Sequence, residues 1–149
     1  MKTTILSIQD PEAISTALQI LHLGGVIAFP TDTVYGLAAL VNDADAIEKL
    51  FAVKGRDFNK AIAVLVGNIE QVDLVSPEMT VTAKTLAARH WPGALTLVVP
   101  KRADLPAVLS ALPTVGVRMP DHAFALQLLQ AAGPLATTSA NLSGAANPL

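Results

Sequence analysis

The chain has 149 residues, 52% of them hydrophobic, a length and composition that suit one domain with a substantial core. Its formal net charge of −2 argues against broad nucleic-acid binding, which needs a basic face to neutralise phosphates. Zero cysteines exclude disulfides, thiolate catalysis and cysteine-bound zinc or iron–sulfur centres, and His22, His90 and His122 have no metal-ligand spacing.

From the N-terminus, Thr3 to Ile8 alternates and is β-branched enough to predict a strand, and Asp10-Pro11 supplies an N-cap and a first-turn proline for the helix after it. Ile14, Ala17, Leu18 and Leu21 repeat at helical spacing, and Gly24-Gly25 ends that helix before Val26 to Phe29, a short apolar run suited to a buried strand. A second helix is expected from Ala44 to Val53, capped by Asn42 or Asp43, because Ala44, Ile47, Leu50 and Phe51 share one face. A loop from Lys54 to Lys60 leads into a predicted strand from Ala61 to Val66. Ser76-Pro77 opens a helix running towards His90, broken by Trp91-Pro92-Gly93. Ala94 to Val99 and Val115 to Arg118 read as further strands. Phe124, Leu128, Leu129 and Ala132 form a helical stripe ended by Gly133-Pro134, and Leu135 to Thr138 is the final short strand.

Strands alternating with helices predict a single α/β domain over residues 1–149, and the close strand pairs between Trp91 and Arg118 point to a mixed sheet. Gly, Pro or a charge interrupts every apolar run before the ~20 residues that cross a bilayer, and no signal-peptide core is present. A cytoplasmic protein without membrane association is therefore expected.

Three polar signatures interrupt this apolar background. Pro30-Thr31-Asp32-Thr33-Val34-Tyr35-Gly36 follows a predicted strand, Lys54-Gly55-Arg56 with Lys60 follows a predicted helix, and Ser139-Ala140-Asn141, in a hydroxyl-rich stretch from Thr137 to Gly144, follows the last strand. Each stands at an element's end, where an α/β sheet presents side chains to a ligand. The first signature serves equally as an Asx or Thr turn or as a source of ligand contacts, and Tyr35 as a packing platform. One cation at Lys54, Arg56 or Lys60 is explained by the helix dipole, but three exceed that need and suit a triphosphate or a departing pyrophosphate. Charge asymmetry agrees: residues 54–118 hold eight cations against five carboxylates, residues 1–53 two against six.

The third signature reads either as a capping turn or as neutral donors and acceptors for a carboxylate, a ribose or a phosphate. Arg118, at a strand terminus, needs a partner, which a carboxylate substrate would supply. Trp91-Pro92-Gly93 with Leu95-Thr96-Leu97 reads as a packing corner rather than a site. Asp32, Asp57 and Asp121 are too scattered for a metal cage, so Mg2+ would arrive with nucleotide phosphates.

Together, Pro-Thr-Asp-Thr-Val-Tyr-Gly-Leu at 30–37, Lys-Gly-Arg with Lys60, Trp-Pro-Gly at 91–93, Val-Arg at 117–118 and Ser-Ala-Asn-Leu-Ser-Gly at 139–144 closely resemble the YrdC-like family, across essentially the whole chain. The resemblance implies a twisted mixed sheet flanked by helices around a basic concave site. It implies threonylcarbamoyl-adenylate synthesis: L-threonine, bicarbonate and ATP give threonylcarbamoyl-AMP and pyrophosphate, and a partner complex transfers the group to position 37 of tRNA. By motif, Thr33, Arg118 and Ser139 would hold threonine, Arg56, Lys60 and Asn141 would hold ATP, and Lys54 and Arg56 would act on the developing pyrophosphate. Family members continue past the Ser-x-Asn loop with a Ser-Thr pair and a later arginine, so a chain ending at Leu149 reads as shortened or incomplete. Leu65 stands where some relatives carry a polar residue. The alternative within the fold is a non-catalytic paralogue that binds nucleotide, tRNA or double-stranded RNA. A carbamoyl-adenylate role in hydrogenase maturation belongs to larger, cysteine-rich proteins and fits this chain poorly.

Overall fold

The computed structural model describes residues 2–55 and 62–141. Six strands form one mixed sheet: β1 (Ile27–Phe29), β2 (Gly36–Leu40), β3 (Ala63–Leu65), β4 (Leu97–Pro100), β5 (Thr114–Arg118) and β6 (Leu135–Ser139), in the spatial order β1-β2-β6-β3-β5-β4. Among the described residues only β3 and β5 run parallel, and every other neighbouring pair is antiparallel.

Four helices cover the sheet: α1 (Ala13–His22), α2 (Ala44–Lys54), α3 (Val81–His90) and α4 (Ala123–Ala132). The strands alternate between two cores, as a pleat requires. Ala39, Val64, Ala136, Val115 and Val117 face a cluster with Ile47, Leu50 and Phe51 of α2 and Ala87 of α3. Ala38, Leu65 and Leu135 face the opposite cluster, with Leu21 of α1 and Ala125, Leu128 and Leu129 of α4. The result is a three-layer α/β/α domain of the predicted class.

Local chemistry sets the element ends. Asp43 caps α2 by accepting from Ala46 N at 3.0 Å, and Gly55, at φ 66°, closes it. Gly24 N reaches Leu21 O and Gly25 N reaches Ile20 O, a Schellman closure that needs the left-handed φ of 78° at Gly24.

Three expectations are corrected, and one strand was missed. Thr3 to Ile8 pairs with no strand among the described residues, and Ile5 is 90% exposed, because β propensity without a partner supplies no ladder. Asp10 accepts from Glu12 N in a turn, and α1 starts only at Ala13. The helix expected from Ser76-Pro77 starts at Val81, where Thr80 accepts from Ala83 N; Ser76 instead donates to Glu78 O. Strand β2 was not anticipated, since Gly-Leu-Ala-Ala-Leu has weak β propensity and owes its conformation to β1 and β6 on either side.

Candidate functional site

The sheet register brings the first and third signatures together. Strand β2 begins at Gly36, where the first signature ends, and β6 ends at Ser139 within the third; these two residues face each other across the antiparallel pair. Ala140 N then donates to Tyr35 O at 2.8 Å, which extends the pairing into both loops. Gly36 is required by this approach, because a Cβ there would stand 2.9 Å from the Thr137 methyl.

A hollow of about 330 Å3 opens beside this junction, lined by Thr31, Thr33, Ala63, Leu65, Thr96, Arg118, Thr137 and Ser139 among others. Its floor continues the sheet face that α1 and α4 cover elsewhere, and small side chains at Gly36 and Ala63 leave the concavity. A second hollow, of about 650 Å3, lies between Val72, Met79, Trp91 and Met119. It is larger but gathers none of the predicted site residues, so the smaller one is the candidate site.

Arg118 projects from the end of β5 and is fixed on three sides. Its Nε donates to Gly93 O at 2.9 Å, one terminal nitrogen donates to Thr33 Oγ1 at 3.1 Å, and the other forms an ion pair with Asp32. The side chains of Arg118 and Asp32 are 12% and 18% exposed, so water screens this pair far less than a surface pair. Thr31 ties the loop below it, donating to Val34 O at 2.6 Å and accepting from Thr33 N at 3.2 Å. The turn reading of the first signature holds: Thr31 builds the turn, and the turn sets Asp32 and Thr33 against Arg118.

The Trp91-Pro92-Gly93 corner, which contains a cis peptide, takes part as well. Trp91 Nε1 donates to Leu95 O at 2.8 Å and Gly93 N donates to Met119 O at 2.8 Å, which sets the Gly93 carbonyl against Arg118. The sequence reads this corner, Thr96 included, as packing rather than a site, whereas Thr96 lines the hollow from the segment that leads into β4. The one available signal was its proximity to Arg118 through the expected β4–β5 pairing.

Lys54, the last residue of α2, is buried, at 2% exposure. Its ammonium donates to Ser139 O at 2.6 Å, Ser139 Oγ at 3.0 Å and Asn141 Oδ1 at 3.2 Å. Ser139 Oγ also bonds Asn141 Oδ1 closely. A cation and the hydroxyl-amide turn are thus one unit, adjoining the hollow through Ser139. Of the residues the sequence singled out, Thr33, Arg118 and Ser139 line the hollow, and Lys54 and Asn141 join it through Ser139; Arg56 and Lys60 lie outside the described residues.

Against this geometry stands a clear relationship. The Sua5/YciO/YrdC family model, described as telomere recombination, matches residues 19–149. The chain belongs to this family. Within the Sua5/YciO/YrdC family, it is 44% identical over 149 residues to threonylcarbamoyl-AMP synthase of Bacillus subtilis (strain 168), covering 98% of this chain and 43% of that protein. It matches a crystal structure of P. abyssi Sua5 complexed with L-threonine at a TM-score of 0.87 and 41% identity, covering 91% of this chain and 40% of that one. The crystal structure of E. coli YciO matches at a TM-score of 0.79 and 27% identity, covering 89% and 65%. The chain thus spans less than half the length of the Bacillus and P. abyssi proteins. Among the described residues, no helix is long and apolar enough to cross a membrane.

Proposed function

We propose that this chain carries the site of an L-threonylcarbamoyladenylate synthase, a nucleotidyltransferase that makes threonylcarbamoyl-AMP and pyrophosphate from L-threonine, bicarbonate and ATP. The observation that supports it is one hollow lined by an oriented guanidinium at Arg118 and by Ser139, through which Lys54 and Asn141 adjoin it. The L-threonine bound to a relative 41% identical supports the same amino acid here.

In this reading Arg118 receives the threonine carboxylate, and the Thr33 and Ser139 hydroxyls bond its remaining polar atoms. The amine adds to bicarbonate with loss of water, giving an N-carboxy group. An oxygen of that group attacks the α-phosphorus of ATP; the bond to the β-phosphate oxygen breaks, and pyrophosphate leaves with the electron pair. No nucleophilic side chain is needed, because alignment and charge neutralisation supply the catalysis. Lys54 and Arg56 offset the charge gathering on pyrophosphate, while Arg56, Lys60 and Asn141 hold ATP. Mg2+ would arrive on the phosphates of the nucleotide and keep several waters. The product would pass to a transfer complex acting on tRNA position 37, in the cytoplasm.

Pyrophosphate release in the presence of ATP, Mg2+ and bicarbonate is expected only when threonine is added. Arg118→Ala should lower kcat/KM for threonine by about 10- to 150-fold, the loss of one charge-assisted contact, and Arg56→Ala should remove most turnover. Release that ignores threonine, or undiminished turnover in both variants, overturns the assignment.

A further inference from the structure

The second hollow, of about 650 Å3, lies between the 3-10 turn Ile69–Leu74 and α3. Two of its lining residues, Val72 and Ala87, belong to the α2/α3 cluster, so it sits on the sheet face opposite the candidate site. Its floor is apolar. Trp91, the chain's only tryptophan, and Met79 and Met119, two of its three methionines, line it. The polar end of Trp91 is satisfied internally, because Nε1 donates to Leu95 O, and the ring has only apolar contact to offer the groove. Tryptophan supplies large rigid contact area and methionine an unbranched, polarisable chain that refits around a guest, the side chains that anchor protein interfaces.

The rim sets the charge of the guest. Glu70, Asp73 and Glu78 stand there against one cation, Lys84, and all four are exposed. None of the four forms an ion pair among the described residues. Arg102 does reach the Asp73 carbonyl, but it is paired with Asp104. Three carboxylates against one ammonium repel an anionic partner and complement a cationic one, while the floor demands apolar surface. We propose that this groove docks a segment of a partner protein in which apolar side chains are flanked by lysine or arginine. The apolar anchor enters against Trp91, Met79 and Met119, and the flanking cations meet Glu70, Asp73 and Glu78. Since groove and candidate site open on opposite faces, docking leaves the site accessible. This inference goes beyond the proposed activity and requires neither threonine nor ATP.

Trp91 supplies the readout, since all tryptophan emission of the protein comes from the groove. The probe is the peptide acetyl-Lys-Leu-Phe-Lys-Leu-Lys-amide, titrated into the protein. It should change Trp91 emission saturably, and replacing its lysines by glutamate, or its leucines and phenylalanine by serine, should weaken binding at least about tenfold, the sum of a few exposed charge pairs or the loss of the anchor. The triple variant Glu70→Gln, Asp73→Asn, Glu78→Gln should weaken the lysine peptide to the same degree, and Ala88→Arg, at an exposed position of α3 that lines the groove, should abolish its binding. No saturable change, equal binding of the three peptides, or undiminished binding in both variants overturns the proposal. Phenethylamine binding as tightly as the lysine peptide would assign the groove to a small organic cation, and Trp91 emission that changes with protein concentration alone would assign it to a second copy of this chain; either result also overturns it. Should a variant not fold, the peptide series on the unsubstituted protein still decides.

Discussion

Lys54 is a long cationic side chain with 2% exposure, a state that persists only with compensating acceptors. Ser139 and Asn141 supply them, so Lys54→Met should strip a donor from three acceptors and cost about 1–3 kcal/mol. Chemical denaturation measures that loss, with faster amide exchange expected at residues 139–141. Elsewhere, the side-chain hydrogen bond from Arg102, aided by its charge, holds the Asp104 carboxyl below the ordinary aspartate value. A depressed carboxyl contributes stability above its unfolded pKa and loses it as pH falls through the folded value. NMR titration should find Asp104 protonating at lower pH than a free aspartate, and Arg102→Gln should raise it. At this scale the sequence named Thr33, Lys54, Arg118, Ser139 and Asn141, because charged or hydroxylated residues at the ends of apolar runs stand out. It did not show Asp32 as a counter-ion, since the partner lies 86 positions away.

The elements carry these residues to one place. Gly93 belongs to the break after α3, and a Cβ there would stand 2.5 Å from His90 O, too close for backbone to yield easily. Gly93→Ala should therefore cost about 1–3 kcal/mol and displace the carbonyl that holds Arg118 Nε. A lower Tm with threonine KM rising more than kcat falls is the expected result; unchanged KM would separate the corner from the site. Helices α2 and α4 were legible from their apolar stripes and closing glycines, with only small differences at their ends. Strand β2 was not, as its five residues carry little local preference and its conformation is imposed by two neighbours.

Over the whole molecule, the sheet divides the core in two, and the α1/α4 side is the smaller cluster. Leu128 is fully buried there, so Leu128→Ala should cost about 2–5 kcal/mol, read as a lower denaturant midpoint with an unchanged slope. The candidate hollow shares that sheet face, and loss of packing beneath it is expected to weaken threonine binding only as the fold itself weakens. The fold class was determined by the sequence alone, and the family was legible through the resemblance of its motifs: hydrophobic period, capping residues and terminal polar clusters are local properties that survive without coordinates. What the tertiary structure decided was every relation between distant residues. It set Gly36 opposite Ser139, the Gly93 carbonyl behind Arg118, Asp32 upon its guanidinium and Lys54 beneath the Asn141 turn. It also left Thr3 to Ile8 without a strand partner among the described residues, despite strand-like chemistry. Ladder pairing and charge compensation are satisfied between segments, so no single segment contains them.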